Sequence, residues 1–271
     1  MRIRVWIITL VAIALLAGIA ACGKQQEEQP AVEALEYPNE PQFIFFPLPT
    51  FHQVFAKLEN VETADYAKAV PQSFEKVEGS SFKQAYQLGA LTADAIFSTQ
   101  ARDQQRLKDI AEGMMFYADM LGIEDQINPL TDKLTRLLEN NEWDELEVVL
   151  EEERQNVVTE LHRAGEYDIF MLLQVGGWTE ALHNLTFLLL DGEFDPAVTS
   201  ILFEIGTLNQ LIVNYETISS ERVKEKEFYA ESLDNLNQIL AILVSGEEQV
   251  LSRDSVQQIH NLCGKTRALF D

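Results

Sequence analysis

Apolar residues recur at three- and four-residue spacing through most of the chain, the period of an α-helix buried along one side. Residues 81–99 form the first long segment, with small residues on one face. In 101–121, Leu107, Ile110, Met114, Ala118 and Leu121 fall on one stripe that stops at Gly122. Asn128-Pro129 places a capping residue before a proline at the first helical position, opening a segment that carries Leu130, Leu134, Leu137 and Leu138. Asn141 opens a helix that runs to Ala164 and closes at Gly165. Residues 166–190 are apolar around most of their circumference and close at Gly192. Asp195-Pro196 repeats the cap-plus-proline device for a helix to about Tyr215. Ser219 or Ser220 caps a long helix with Tyr229, Leu233, Leu236, Leu240 and Leu243, ended by Gly246. A last helix spans about Ser252 to Leu269, with Ile259, Leu262, Cys263, Thr266 and Phe270 on one buried stripe. No strand-like alternation of useful length occurs, and the loops are short. The pattern predicts an all-α fold of antiparallel helical hairpins, arranged as a bundle or a short solenoid-like array.

The 166–190 segment is expected at the centre of that body. Asp168, Gln174, Glu180, His183 and Asn184 interrupt it, so it is not a membrane span. Three segments share a short motif centred on glycine: Gln87-Leu88-Gly89, Gln174-Val175-Gly176 and Glu204-Ile205-Gly206, each followed by an apolar residue and then Thr or Asn. Glycine inside a helix costs about 1 kcal/mol against alanine. Close helix crossing would supply the reason for tolerating it, and a degenerate repeat of hairpins is a second reading.

The N-terminus follows a different pattern. Arg2 and Arg4 precede an uncharged apolar run, Val5 to Ile19, which ends in Ile19-Ala20-Ala21-Cys22. The run is long enough for a signal sequence and short for a stable span. Its end resembles the lipobox of bacterial lipoproteins, which implies cleavage before Cys22 and acylation of that residue. Residues 1–21 are therefore read as a signal peptide. Residues 22–42, rich in Gln, Glu and Pro, are read as a flexible acidic tether, and residues 43–271 as a single helical domain. The aromatic run Phe43-Ile44-Phe45-Phe46 is expected to pack on that domain as an extended strap. Gly23 rather than Asp after the cysteine fits sorting to an outer membrane, facing the periplasm.

Charge narrows the partners. The chain carries 20 basic and 44 acidic residues. Removing residues 1–21, which hold two Arg and no acid, leaves 18 basic against 44 acidic, a net of −26. Nucleic acid and anionic lipid surfaces both require a basic face and are disfavoured. The partners expected are the membrane, through the N-terminal lipid, and other envelope proteins. Cys263 is the one other cysteine, so acylation of Cys22 excludes an intramolecular disulfide. The run Glu142, Asp144, Glu145, Glu147, Glu151, Glu152 and Glu153 reads as a solvated helix face.

Candidate chemistry is sparse. No Gly-x-Ser-x-Gly elbow, Walker loop or dinucleotide glycine pattern occurs, and no catalytic residue or cofactor is expected. Glu180-Ala181-Leu182-His183 places a carboxylate and an imidazole three apart on one helix face, the spacing used in carboxylate-bridged metal sites. A second such pair is absent, so no metal is expected. The candidate polar site is Glu180, His183 and Asn184, joined by Asp94 if its helix faces them; Asp119, Glu204 and Asn209 are further contributors on the same condition. The competing reading is a polar cluster hydrogen-bonded within the core. His52, His162 and His260 are scattered, without metal spacing.

Leu48-Pro49-Thr50, Leu88-Gly89-Ala90-Leu91-Thr92-Ala93-Asp94, Ala118-Asp119-Met120-Leu121-Gly122-Ile123 and Gly176-Gly177-Trp178-Thr179-Glu180-Ala181-Leu182 occur in order across residues 47–190. Together they resemble a family of uncharacterised helical lipoproteins of Bacteroidetes-type bacteria. The resemblance implies an all-helical envelope protein and transfers no site residue. The sequence thus leads to a lipid-anchored, non-enzymatic binding or scaffolding module. The alternative is a ligand- or metal-binding protein, or an unrecognised enzyme, with its site around Glu180, His183 and Asn184.

Overall fold

A computed structural model of the chain describes residues 65–71, 73, 76–123, 133–164, 166–218 and 220–271. The signal sequence, the tether, Cys22, the aromatic run and the Asn128-Pro129 cap all lie outside the described residues. What is described is all-α, with no strand among the described residues. The helices are α1 (Tyr66–Ala69), α2 (Ser81–Gln100), α3 (Gln104–Leu121), α4 (Trp143–Ala164), α5 (Tyr167–Leu190), α6 (Ile205–Glu216), α7 (Glu221–Lys224), α8 (Glu227–Ser245) and α9 (Arg253–Ala268). Residues 133–140 are also helical, and Pro196–Leu202 is a 3-10 helix.

Local chemistry sets many of the ends. Asp103 accepts from the Arg106 amide and Ser252 from the Ser255 amide, each satisfying an otherwise orphaned first-turn donor. Gly122 sits at φ +70°, with its own amide bonded to Asp119 O and the Ile123 amide bonded to Ala118 O, the paired closure that favours glycine. Asn141 behaves the same way rather than opening a helix. At φ +58° it closes residues 133–140, its amide on Leu138 O and the Glu142 amide on Leu137 O.

Two expected long helices are broken. The segment after Asp195 is a 3-10 helix to Leu202, then non-helical Phe203 and Glu204, then α6. Asp195 does cap its start, accepting from the Ala197 amide at 2.9 Å. Ser220 precedes only the one-turn α7, and Glu225 and Lys226 separate it from α8. Pro196–Glu216 is long and apolar enough to cross a membrane by length and composition, with mean hydropathy 1.3. That break, and the packing of its two pieces on α5 and α8, account for its apolar character within the bundle.

The centre of the body is α5, which packs against α1, α2, α4, α6 and α9. Its closest partner is α2. A Cβ built on Gly89 would meet the Leu173 carbonyl oxygen and, at 2.8 Å, the Gly177 nitrogen. A Cβ on Gly176 would meet the Tyr86 carbonyl oxygen and, at 3.0 Å, the Tyr86 Cα. The expected close crossing therefore exists at two of the three glycines. Gly206 does not share it: it lies in the first turn of α6, exposed, with open space where a Cβ would go.

Contacts along the crossing fix its direction. Tyr86 meets Gly176, and Asp94 meets Asn184, so α2 and α5 run parallel. Parallel neighbours cannot be joined by a tight turn, and the chain returns through α3 and α4. The last helix runs antiparallel to α5: Arg267 reaches Glu180, His260 reaches Thr186, and Arg253 reaches the Leu190 carbonyl. Its stripe is buried as expected, with Ile259, Leu262, Cys263, Thr266 and Phe270 all inside. Phe270 stacks on Tyr86 with ring centroids 3.9 Å apart, pinning the C-terminal turn onto α2. On α4, Asp144, Glu145 and Glu152 are exposed, as a solvated face requires.

Candidate functional site

Three helices converge on a buried polar cluster. The close α2–α5 crossing puts Asp94 against Asn184, which donates to it through Nδ2 at 2.8 Å. One turn earlier on α5, Glu180 accepts from Arg267 Nε of α9 at 2.7 Å. Glu180 is only 2 % exposed, whereas Arg267 is 29 % exposed and reaches inward from the rim. Tyr86 and Thr179 hydroxyls lie inside the same crossing without hydrogen-bond partners. The two free acceptors of the cluster are Glu180 Oε1 and Asn184 Oδ1.

Electrostatics assigns a proton to this cluster. Burial raises the Asp94 carboxyl to about 6, against the hydrogen bond from Asn184 and the fields of Arg267 and Arg106. Burial also pushes Glu180 well above the usual carboxylate range, and the neighbouring Asp94 charge adds to it. The two carboxyls interact directly, and two adjacent buried acids cannot both ionise cheaply. The pair therefore holds one proton in the native state. A neutral Glu180 can donate from Oε1 to the Asp94 carboxylate while Oε2 still accepts from Arg267. This places a donor on the oxygen that is otherwise unpartnered.

His183 and His260 form the outer edge. Their rings stack with centroids 4.1 Å apart. Thr186 directs its own hydroxyl proton to the backbone carbonyls of Leu182 and His183. His260 Nδ1, 3.0 Å from the Thr186 oxygen, is therefore the donor there. Arg267 Nη1 donates to His183 Nδ1 at 3.1 Å. Burial, then the adjacent Arg267 charge, lowers His183 to about 3, and burial lowers His260 as well. Both imidazoles are neutral near pH 7.

All four residues singled out from sequence, Asp94, Glu180, His183 and Asn184, thus lie in one cluster. Asp119 and Asn209 are exposed elsewhere, and Glu204 bonds Thr207 ahead of α6. Sequence reasoning missed Arg267 and His260, which stand seven residues apart on one face of α9. That spacing is the signal that could have paired them. It also missed Arg106, whose charge acts on Asp94 from α3.

The chemistry available is acid–base and hydrogen-bonding in character. Among the described residues, no group of three or more His, Cys, Asp or Glu converges as a metal site. The Glu180–His183 pair is instead bridged by the Arg267 guanidinium. Cys263 is fully buried, and burial raises its thiol, so it is protonated and not a nucleophile. No family model, curated protein or solved structure matches the chain.

Proposed function

We propose that this protein is a lipid-anchored component of a bacterial cell envelope whose helical body acts by binding, not catalysis. The observation that carries the proposal is Ile19-Ala20-Ala21-Cys22 at the end of an uncharged apolar run with a basic start. Acylation at Cys22 would hold the body near the outer membrane on the periplasmic side, because several acyl chains on one residue anchor stably where one chain is marginal. The acidic tether and body suit a soluble module beside a membrane. The cluster supports binding over chemistry: its acids are engaged by Asn184 and Arg267, its histidines are neutral and engaged, and its thiol is protonated.

Metabolic labelling with an alkyne-bearing palmitate tests the anchor. The full chain, expressed in a bacterial host, takes up label and fractionates with membranes. The Cys22→Ser variant takes up none and keeps its precursor mass. An unlabelled wild type, or label that persists in the variant, contradicts the anchor. Affinity capture from detergent-solubilised envelopes then identifies the partner.

A second reading is favoured by the buried Asn184 Oδ1, which has no hydrogen-bond partner. In it the body binds a small polar ligand at Asp94, Glu180, His183 and Asn184.

A further inference from the structure

Arg106 is the most anomalous group in the described body. It lies in the first turn of α3, where its amide donates to Asp103 Oδ1 at 2.9 Å. Its side chain is carried inward to 6 % exposure, and Nε, Nη1 and Nη2 are all buried without a hydrogen-bond partner. Arginine stays charged at any physiological pH and carries five N–H donors in a planar fork. A buried charge of this kind is stable only when it is paired and hydrogen-bonded.

No described side chain supplies the pair. Asp94 feels the Arg106 charge, but it already accepts from Asn184 and interacts with Glu180. Close by, Ser98 is 1 % exposed, and its hydroxyl is also unpartnered. It stands one turn beyond Asp94 on α2, and its carbonyl accepts the Asp103 amide at the α2–α3 corner. Both unsatisfied groups thus belong to the same corner, and both can donate.

The guanidinium itself gives the sign of the missing group: its charge is permanent, and Nε, Nη1 and Nη2 are buried without an acceptor. A planar, singly charged group with two oxygens matches both that charge and the guanidinium fork.

We propose that Arg106 and Ser98 form a buried binding site for a small monocarboxylate at the α2–α3 corner. This does not depend on the lipid anchor.

Acetate is the probe, on the full chain purified in detergent. The protein is first denatured, and released small carboxylates are measured by mass spectrometry. It is then refolded and its melting temperature followed with acetate at constant ionic strength against chloride, with inorganic phosphate as a separate arm. The site predicts either a stoichiometric released carboxylate or a saturable rise of several degrees with acetate. Arg106→Lys keeps the charge but not the fork and needs roughly tenfold more acetate for half the effect. Ser98→Ala removes only a hydroxyl, keeps the fold, and weakens the response in the same direction. Absence of both a released carboxylate and an acetate response overturns the site. A response in both variants equal to that of the wild type, or a stronger response to phosphate, overturns it as well.

Discussion

Placing a side chain at Gly176 should strongly destabilise the helical body. Alanine in place of a mid-helix glycine normally gains about 1 kcal/mol. Here a Cβ would meet the Tyr86 carbonyl oxygen, with the Tyr86 Cα at 3.0 Å, and the obstacle is backbone, not a side chain that can swing aside. Gly89 faces the same obstacle from the other helix, at Leu173 and Gly177. Relief requires α2 and α5 to separate, which pulls Asp94 from Asn184 and loosens the α2 surface that Phe270 covers. We expect Gly176→Ala and Gly89→Ala each to lose about 3 kcal/mol in urea unfolding despite the propensity gain. Larger side chains at either position should give no folded protein, since total stabilities are about 5–15 kcal/mol. Gly206→Ala is the control. It meets open space and should be neutral or slightly stabilising. A Gly176→Ala variant as stable as wild type would show that the helices do not cross this closely.

Removing Arg267 has the second-largest expected effect. Among the described residues its guanidinium is the direct cationic partner of Glu180, and it also donates to His183. Breaking a buried ion pair by deleting one member costs about 3–5 kcal/mol, because the other charge stays behind. Arg267 is partly exposed and the carboxyl pair can take up a proton, so Arg267→Met should fall at the low end, about 3 kcal/mol. Glu180→Gln differs. The amide oxygen accepts from Arg267 and the amide nitrogen donates to Asp94, reproducing the protonated acid, so this variant should stay near wild-type stability at neutral pH. Because the amide stands in for the protonated acid, adding Arg267→Met to Glu180→Gln should cost about as much as Arg267→Met alone, which a double-mutant cycle measures directly. A much smaller loss in the double variant would mean that Glu180 is ionised beside Arg267.

Much of this body was legible in the residue pattern, and the exceptions have physical causes. The spans of α2, α3, α5 and α9 follow from apolar spacing and from end signals such as Gly122 and Ser252, because these act locally. The breaks at Phe203–Glu204 and Glu225–Lys226 were not legible. Helical spacing of apolar residues continues across both, and no proline or glycine marks either one. Asn141 was placed at the wrong end of a helix because asparagine serves both as an N-cap and in the left-handed conformation. The glycines of α2 and α5 announced a close approach but not its partner or its parallel direction, which depend on contacts some 90 residues apart. Asp94, Glu180 and Asn184 stood out because polar residues inside apolar helices need partners. Arg267 and Arg106 did not, since each lies in a stretch that reads equally well as a polar face.

The claim at the centre of the cluster is that Asp94 and Glu180 share one proton in the folded protein and none in the unfolded chain. Groups whose folded pKa is raised stabilise below their unfolded value, and that stability is lost as the pH climbs through the folded value. The loss begins above the ordinary carboxylate values, passes about 6 for Asp94 and continues until Glu180 ionises. His183 and His260 have lowered values and act in the opposite sense, but only below about pH 6.5, the unfolded histidine value. The decisive measurement is the urea unfolding free energy of wild type and Glu180→Gln compared between about pH 7.5 and 8.5, where histidine is largely neutral in both states. Each proton held only by the native state contributes a slope of about 1.4 kcal/mol per pH unit. Wild type should therefore lose stability relative to Glu180→Gln across that window, with a slope up to that limit. Parallel curves would show that the buried pair carries no shared proton.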